Sequence, residues 1–105
     1  MSEFVRACSL SSLAEDTATH VDVAGVPLCL ARTQGEVFAV FDECTHAEVP
    51  LSEGEIEDGT VECWLHGSMF DLRTGKPTGL PATEPVATYP VRVDGDDVFV
   101  AVEES

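Results

Sequence analysis

Short apolar runs broken by Xaa-Gly pairs constrain this chain more than any other feature. "HVDV" meets Ala24-Gly25, "VPLCLAR" meets Gln34-Gly35, and "VFAVF" follows. Later, "GEIE" meets Asp58-Gly59 before "TVECW", and "TYPVRV" meets Asp94-Gly95-Asp96 before "DVFVAV". Strands of about 4–8 residues separated by glycine-bearing turns predict antiparallel hairpins. Val, Phe and Ile dominate the runs, and β-branched and aromatic side chains suit a pleated, half-buried surface. Helical signal is thin. "SSLAED" offers one turn, with Ser12 as N-cap and Glu15 three residues on, but no apolar stripe follows at helical spacing. The expectation is an all-β fold, a small antiparallel sandwich or barrel.

At 105 residues the chain is read as one domain, residues 1–105, without repeats or linkers. A domain this small buries only about two-thirds of its unfolded surface, so a bound metal centre would add a useful staple. No apolar run approaches the ~20 residues of a membrane span, and "MSEFVRACSL" lacks the basic-then-apolar order of a signal peptide. A soluble, cytoplasmic monomer is expected. Twenty acidic side chains against five basic ones give a net charge of −15, with Lys76 the sole lysine. That balance argues against nucleic acid, whose phosphates need clustered Lys and Arg. It fits either a solubility surface or steering toward a basic partner face.

Two stretches carry the chemistry. "CTHAEVP" holds Cys44 and His46, and "CWLHGSMF" holds Cys63 and His66, with sixteen residues between the two pairs. Each pair falls where a predicted strand gives way to a loop, so a sheet can hold the two halves against each other. The cluster-binding part spans about residues 43–82. Thiolates and imidazoles select zinc, copper or iron over hard ions. A structural Cys₂His₂ zinc site remains open on ligand type, although its usual order is two cysteines followed by two histidines. The alternative is a [2Fe–2S] centre with two cysteines on one iron and two histidines on the other. Replacing two thiolates by neutral imidazoles leaves the oxidised centre neutral instead of doubly negative, which favours uptake of an electron and raises the potential. Cys8 and Cys29 read as small buried hydrophobes. His20 reads as a surface strand residue, and Asp71 with Arg73 as hairpin residues that pair weakly.

The boxes "CTH" and "CWLHG" resemble those of the Rieske [2Fe–2S] proteins, and "FDLRTGKP" with "GLPATEPVATYPVRV" resembles the small Rieske-type ferredoxins of bacterial oxygenase systems. The resemblance covers essentially the whole chain and favours iron–sulfur over zinc. It implies a cluster-binding subdomain formed by two loops at strand ends. It further implies one [2Fe–2S] cluster, with Cys44 and Cys63 on the inner iron and His46 and His66 on the outer. Pro81 would sit on a loop packed over the cluster, Gly67 would let the backbone approach it, and Trp64 would shield it.

The high-potential branch of the family carries an extra cysteine in each box, joined as a disulfide. Val49 and Leu65 stand at those positions here. Ser68 keeps one hydrogen-bond donor of that branch, whereas Phe70 lacks the hydroxyl of its tyrosine. Losing such a donor lowers the potential, which is expected in the lower half of the Rieske range of about −150 to +300 mV. The implied function is one-electron transfer from an NAD(P)H-dependent flavoprotein reductase to a terminal non-haem iron oxygenase of the aromatic-ring-hydroxylating type. No nucleophile–base pair is evident, so no catalytic site is expected. The alternatives are the Rieske-like small subunit of a nitrite reductase and an accessory protein of iron–sulfur metabolism.

Overall fold

The strand Val26–Thr33 has an unbroken buried run from Leu28 to Ala31, so both of its faces are covered. Side chains alternate across a strand, and they divide here into two cores. Leu28 and Leu30 enter one with Ala39, Val98 and Val100, while Cys29 and Ala31 enter the other with Val40, Val61, Cys63 and Phe70. One sheet therefore forms a middle layer. The computed structural model describes residues 4–43, 49–64, 67–78 and 84–102.

Ten strands run in chain order: β1 Phe4–Ser9, β2 Thr17–Val23, β3 Val26–Thr33, β4 Glu36–Phe41 and β5 Ile56–Glu57. Then come β6 Thr60–Glu62, β7 Met69–Asp71, β8 Thr88–Tyr89, β9 Val91–Asp94 and β10 Asp97–Ala101. They form three antiparallel sheets. The middle layer is ordered β2-β3-β4-β8, an outer sheet is ordered β1-β10-β9, and a small sheet is ordered β5-β6-β7. The all-β expectation is met.

Each anticipated hairpin turn lies between the strands it was expected to join. Ala24-Gly25, Gln34-Gly35 and Asp58-Gly59 have positive φ at both positions, the type I′ pattern whose twist matches flanking strands. The run "TYPVRV" behaves differently from the single strand expected. It divides at Pro90, with Thr88–Tyr89 pairing with β4 and Val91–Asp94 pairing with β10. Proline lacks the N–H that a continuous ladder needs, so the chain changes sheets there.

The helical turn is also corrected. A 3₁₀ turn covers Leu10–Ser12, and its N-cap position is Ser9, not Ser12. Its cap comes from across the fold. Ser11 donates its N–H and hydroxyl to the Asp96 carboxylate at 2.9 and 3.0 Å. A second 3₁₀ turn, Leu51–Glu53, begins at Pro50, whose side chain forms no cap. Among the described residues no helix is long and apolar enough to cross a membrane.

Candidate metal centre

Three chain segments that the sequence marks as loops have their roots on β4, β6 and β7. The root of the second box is clearest. β6 ends at Glu62, and Cys63 follows, fully buried in the core with Val61 and Phe70. Its N–H donates to the Ser68 carbonyl at 2.6 Å, and its own carbonyl accepts from the Gly67 N–H at 2.8 Å. The two bonds tie the backbone of Cys63 to Gly67 and Ser68. Gly67 has φ +75, while a Cβ there would meet only the Glu62 carboxylate at an ordinary 3.7 Å. Its requirement is therefore conformational. Ser68 is fully buried, so its side chain is no solvated loop hydroxyl. Trp64 is 50% exposed, which leaves half of the expected shield facing solvent.

The first box is rooted at Asp42 on one side and the second 3₁₀ turn on the other. The Asp42 side chain is only 1% exposed. Its Oδ1 accepts the Ser52 N–H and its Oδ2 the Ser52 hydroxyl, both at 2.7 Å. Oδ2 also meets Nδ1 of His20 at 2.5 Å. Just beyond, Gly54 presses against the second box. A Cβ on Gly54 would lie 1.6 Å from the Glu62 carbonyl oxygen, so only glycine permits this backbone contact. The contact joins the tail of the first loop to the residue immediately before Cys63.

The third loop is held at both ends. Thr78 N–H donates to the Met69 carbonyl at 2.7 Å, and Val86 N–H to the Gly75 carbonyl at 2.8 Å. The Phe41 N–H reaches Ala87 at 2.9 Å and ties this segment to the end of β4. Cys44, His46, His66 and Pro81 lie outside the described residues, as do parts of the stretch 43–82. The described members suit a thiolate-bound centre. Cys63 is a free cysteine whose backbone is bonded to Gly67 and Ser68, it shares a core with Leu51 of the second 3₁₀ turn, and Gly54 contacts the residue before it.

The remaining expectations resolve individually. Cys29 is a buried hydrophobe, and burial pushes its thiol well above the ordinary range. Cys8 is half-buried against the outer core. Arg73 does not pair with Asp71 through its guanidinium. Only its backbone N–H meets the Asp71 carboxylate, at 2.8 Å. The guanidinium bonds to Glu36 at 2.5 Å and lies 5.0 Å from the Phe38 ring centroid. His20 stands on β2 with its side chain 48% exposed. Hydrogen bonding to Asp42 raises its pKa above the usual value, against opposing desolvation and with help from Asp22. Sequence reading passed over Asp42, Ser52 and Gly54. The available signal was a glycine in "LSEGE" that no hairpin turn requires.

Comparison with known proteins places these features in a lineage. Residues 3–90 match the family described as Rieske [2Fe-2S] domain. The chain is 42% identical over 102 residues to the 3-phenylpropionate/cinnamic acid dioxygenase ferredoxin subunit of Escherichia coli (strain K12), spanning 96% of this chain and 95% of that protein. It resembles the ferredoxin of carbazole 1,9a-dioxygenase from Nocardioides aromaticivorans IC177 with TM-score 0.92 and 38% identity, over 97% of this chain and all of that one. A chain in the complex of reduced oxygenase and oxidised ferredoxin in carbazole 1,9a-dioxygenase gives TM-score 0.88 and 33% identity, over 97% and 95% of the two chains.

Proposed function

The chain belongs to the Rieske [2Fe-2S] domain family, and from that premise we propose that it is the ferredoxin of an aromatic-ring-hydroxylating oxygenase system. It receives electrons from an NAD(P)H-dependent flavoprotein reductase and delivers them to a terminal non-haem iron oxygenase. In this reading residues 1–105 form one soluble, cytoplasmic, monomeric domain, with its cluster-binding part at about 43–82. Cys44 and Cys63 hold one iron, and His46 and His66 the other. When bound, the cluster supplies a one-electron couple.

The observation that carries the reading is the base of the second box. A wholly buried cysteine is fixed by hydrogen bonds through Ser68 and a left-handed Gly67, and the first loop's tail is pressed against its neighbour. Around it, this chain's residues exclude water and hold position. Phe70 and Val61 close the inner side, and Leu51 anchors the 3₁₀ turn in the same core. Zinc is set aside by the family, whose cluster takes two Cys and two His. The nitrite reductase reading has less support, since the relatives at 33–42% identity are components of oxygenase systems.

The test combines the purified chain with a reductase and oxygenase of this class and follows substrate-dependent NAD(P)H oxidation. Transfer should require the chain and disappear with Cys63→Ser or His66→Ala. Turnover that survives either change would refute the assignment.

A further inference from the structure

Among the described residues Asp42 is the buried carboxylate, and it joins three segments. Its side chain is 1% exposed, and it links β2 through His20, the end of β4 through its own backbone, and the second 3₁₀ turn through Ser52. Its N–H donates to the Pro27 carbonyl at 3.1 Å, so the residue is itself tied to the start of β3. A buried carboxylate is retained without strain only when its oxygens are met by donors, and here each is. The donors have a pattern. Ser52 N–H is an unsatisfied group of the first helical turn that Pro50 cannot cap. Asp42 supplies that cap from ten residues earlier and so ties position 42 to position 52, one on either side of the first box in the sequence. Cys44 and His46 fall between those two positions in the sequence.

Resting on the ferredoxin reading above, we propose that Asp42, braced by His20, is a positioning residue for the cluster. It fixes the first ligand loop in a single placement relative to Cys63. The Gly54–Glu62 backbone contact sets the distance between the two boxes, and Asp42 sets the orientation of the first. Charge-assisted hydrogen bonds are shorter and roughly twice as strong as neutral ones, which suits a clamp that must hold one geometry. His20 reaches Asp42 from the solvent side, with its Nε2 3.2 Å from Asp22, and stops the carboxylate from rotating away from Ser52.

The experiment uses the holoprotein and two variants. Asp42→Asn keeps the shape but replaces one acceptor oxygen by an amino group. His20→Gln removes the brace and leaves the Asp42 charge in place. Iron release to a strong chelator should be at least about fivefold faster in Asp42→Asn, with a broadened electron paramagnetic resonance spectrum of the reduced protein. His20→Gln should move both readouts in the same direction by less. Asp42→Asn with wild-type release and an unchanged spectrum would overturn the proposal, even if its reduction potential shifts. A potential shift alone would reflect lost charge and no positioning. If the wild-type chain itself binds no [2Fe–2S] cluster, the ferredoxin reading fails, and the proposal with it.

Discussion

Replacing Gly54 with alanine should separate the two halves of the site. The new Cβ would sit 1.6 Å from the Glu62 carbonyl oxygen and 2.8 Å from its carbon, where contacts below 3.0 Å essentially never occur. Relief requires a backbone shift of about 1.4 Å or more, because both obstructing atoms are main chain. Glu62 cannot yield freely, since its N–H bonds to Glu55 at 2.9 Å and Cys63 follows it into the core. Overpacking of this kind costs about 1–3 kcal/mol, and rigid neighbours on both sides put Gly54→Ala at the upper end. For a domain of this size that lowers the melting temperature by on the order of 10 °C. Cluster content should fall further than folding does, because the displaced residues lie between the boxes.

The control is Gly25→Ala. Gly25, unlike Gly54, has positive φ (+84), but a Cβ there meets nothing within 4 Å, and it lies in the β2–β3 turn. It should destabilise by about 1–2 kcal/mol from backbone strain while leaving cluster per folded molecule unchanged. Melting followed by circular dichroism, with iron and visible absorbance per folded chain, separates the two effects. A Gly54→Ala protein that melts and loads like wild type would refute the reasoning. So would equal loss of cluster in both variants.

Two further outcomes are expected. Ser68→Ala should lower the reduction potential, since a fully buried hydroxyl beside the Cys63 turn can favour the more negative state; an unchanged potential in a folded, loaded variant would show that the hydroxyl serves only packing. His20 has its pKa raised in the folded chain, chiefly by Asp42, so its stabilising contribution is complete below the unfolded value of about 6.5 and fades as pH rises through the higher folded value. The denaturation midpoints of wild type and His20→Gln should therefore differ most near pH 6 and converge in alkali, and a constant difference would contradict the linkage.

The parts of this fold that were legible in the sequence are those governed by neighbouring residues. Ala24-Gly25, Gln34-Gly35 and Asp58-Gly59 announce their turns because the backbone conformation is decided within two residues. The C-x-x-H spacing of the Cys63 box is likewise a local pattern, spanning four residues. Features settled across the fold were not legible. Asp96 and Asp42 cap the two 3₁₀ turns from distant positions, and in a chain with twenty acidic residues neither looks different from a solvated carboxylate. The local spacing allows a capping box at Ser12, yet Ser12 instead donates its hydroxyl back to the Ser9 carbonyl at 2.6 Å. Gly54 carries no local signal because the atom that forbids a side chain belongs to Glu62, on β6. Pro90 was visible, but its effect depends on which sheet each neighbour joins.

The pairing of β1 with β10 sets Phe4 opposite Ala101, so the chain enters and leaves the fold at adjacent points on one ladder. Antiparallel partners stand only about 5 Å apart at their Cα atoms. A fold whose entrance and exit coincide behaves as a cassette: it can be spliced into a surface loop of a longer polypeptide while leaving that host's own ends almost where they were. The same closure permits circular permutation, with a short linker joining the two ends and new termini opened at the exposed Gln34-Gly35 turn. An electron-transfer unit built this way is portable between a free carrier and a domain of a larger chain.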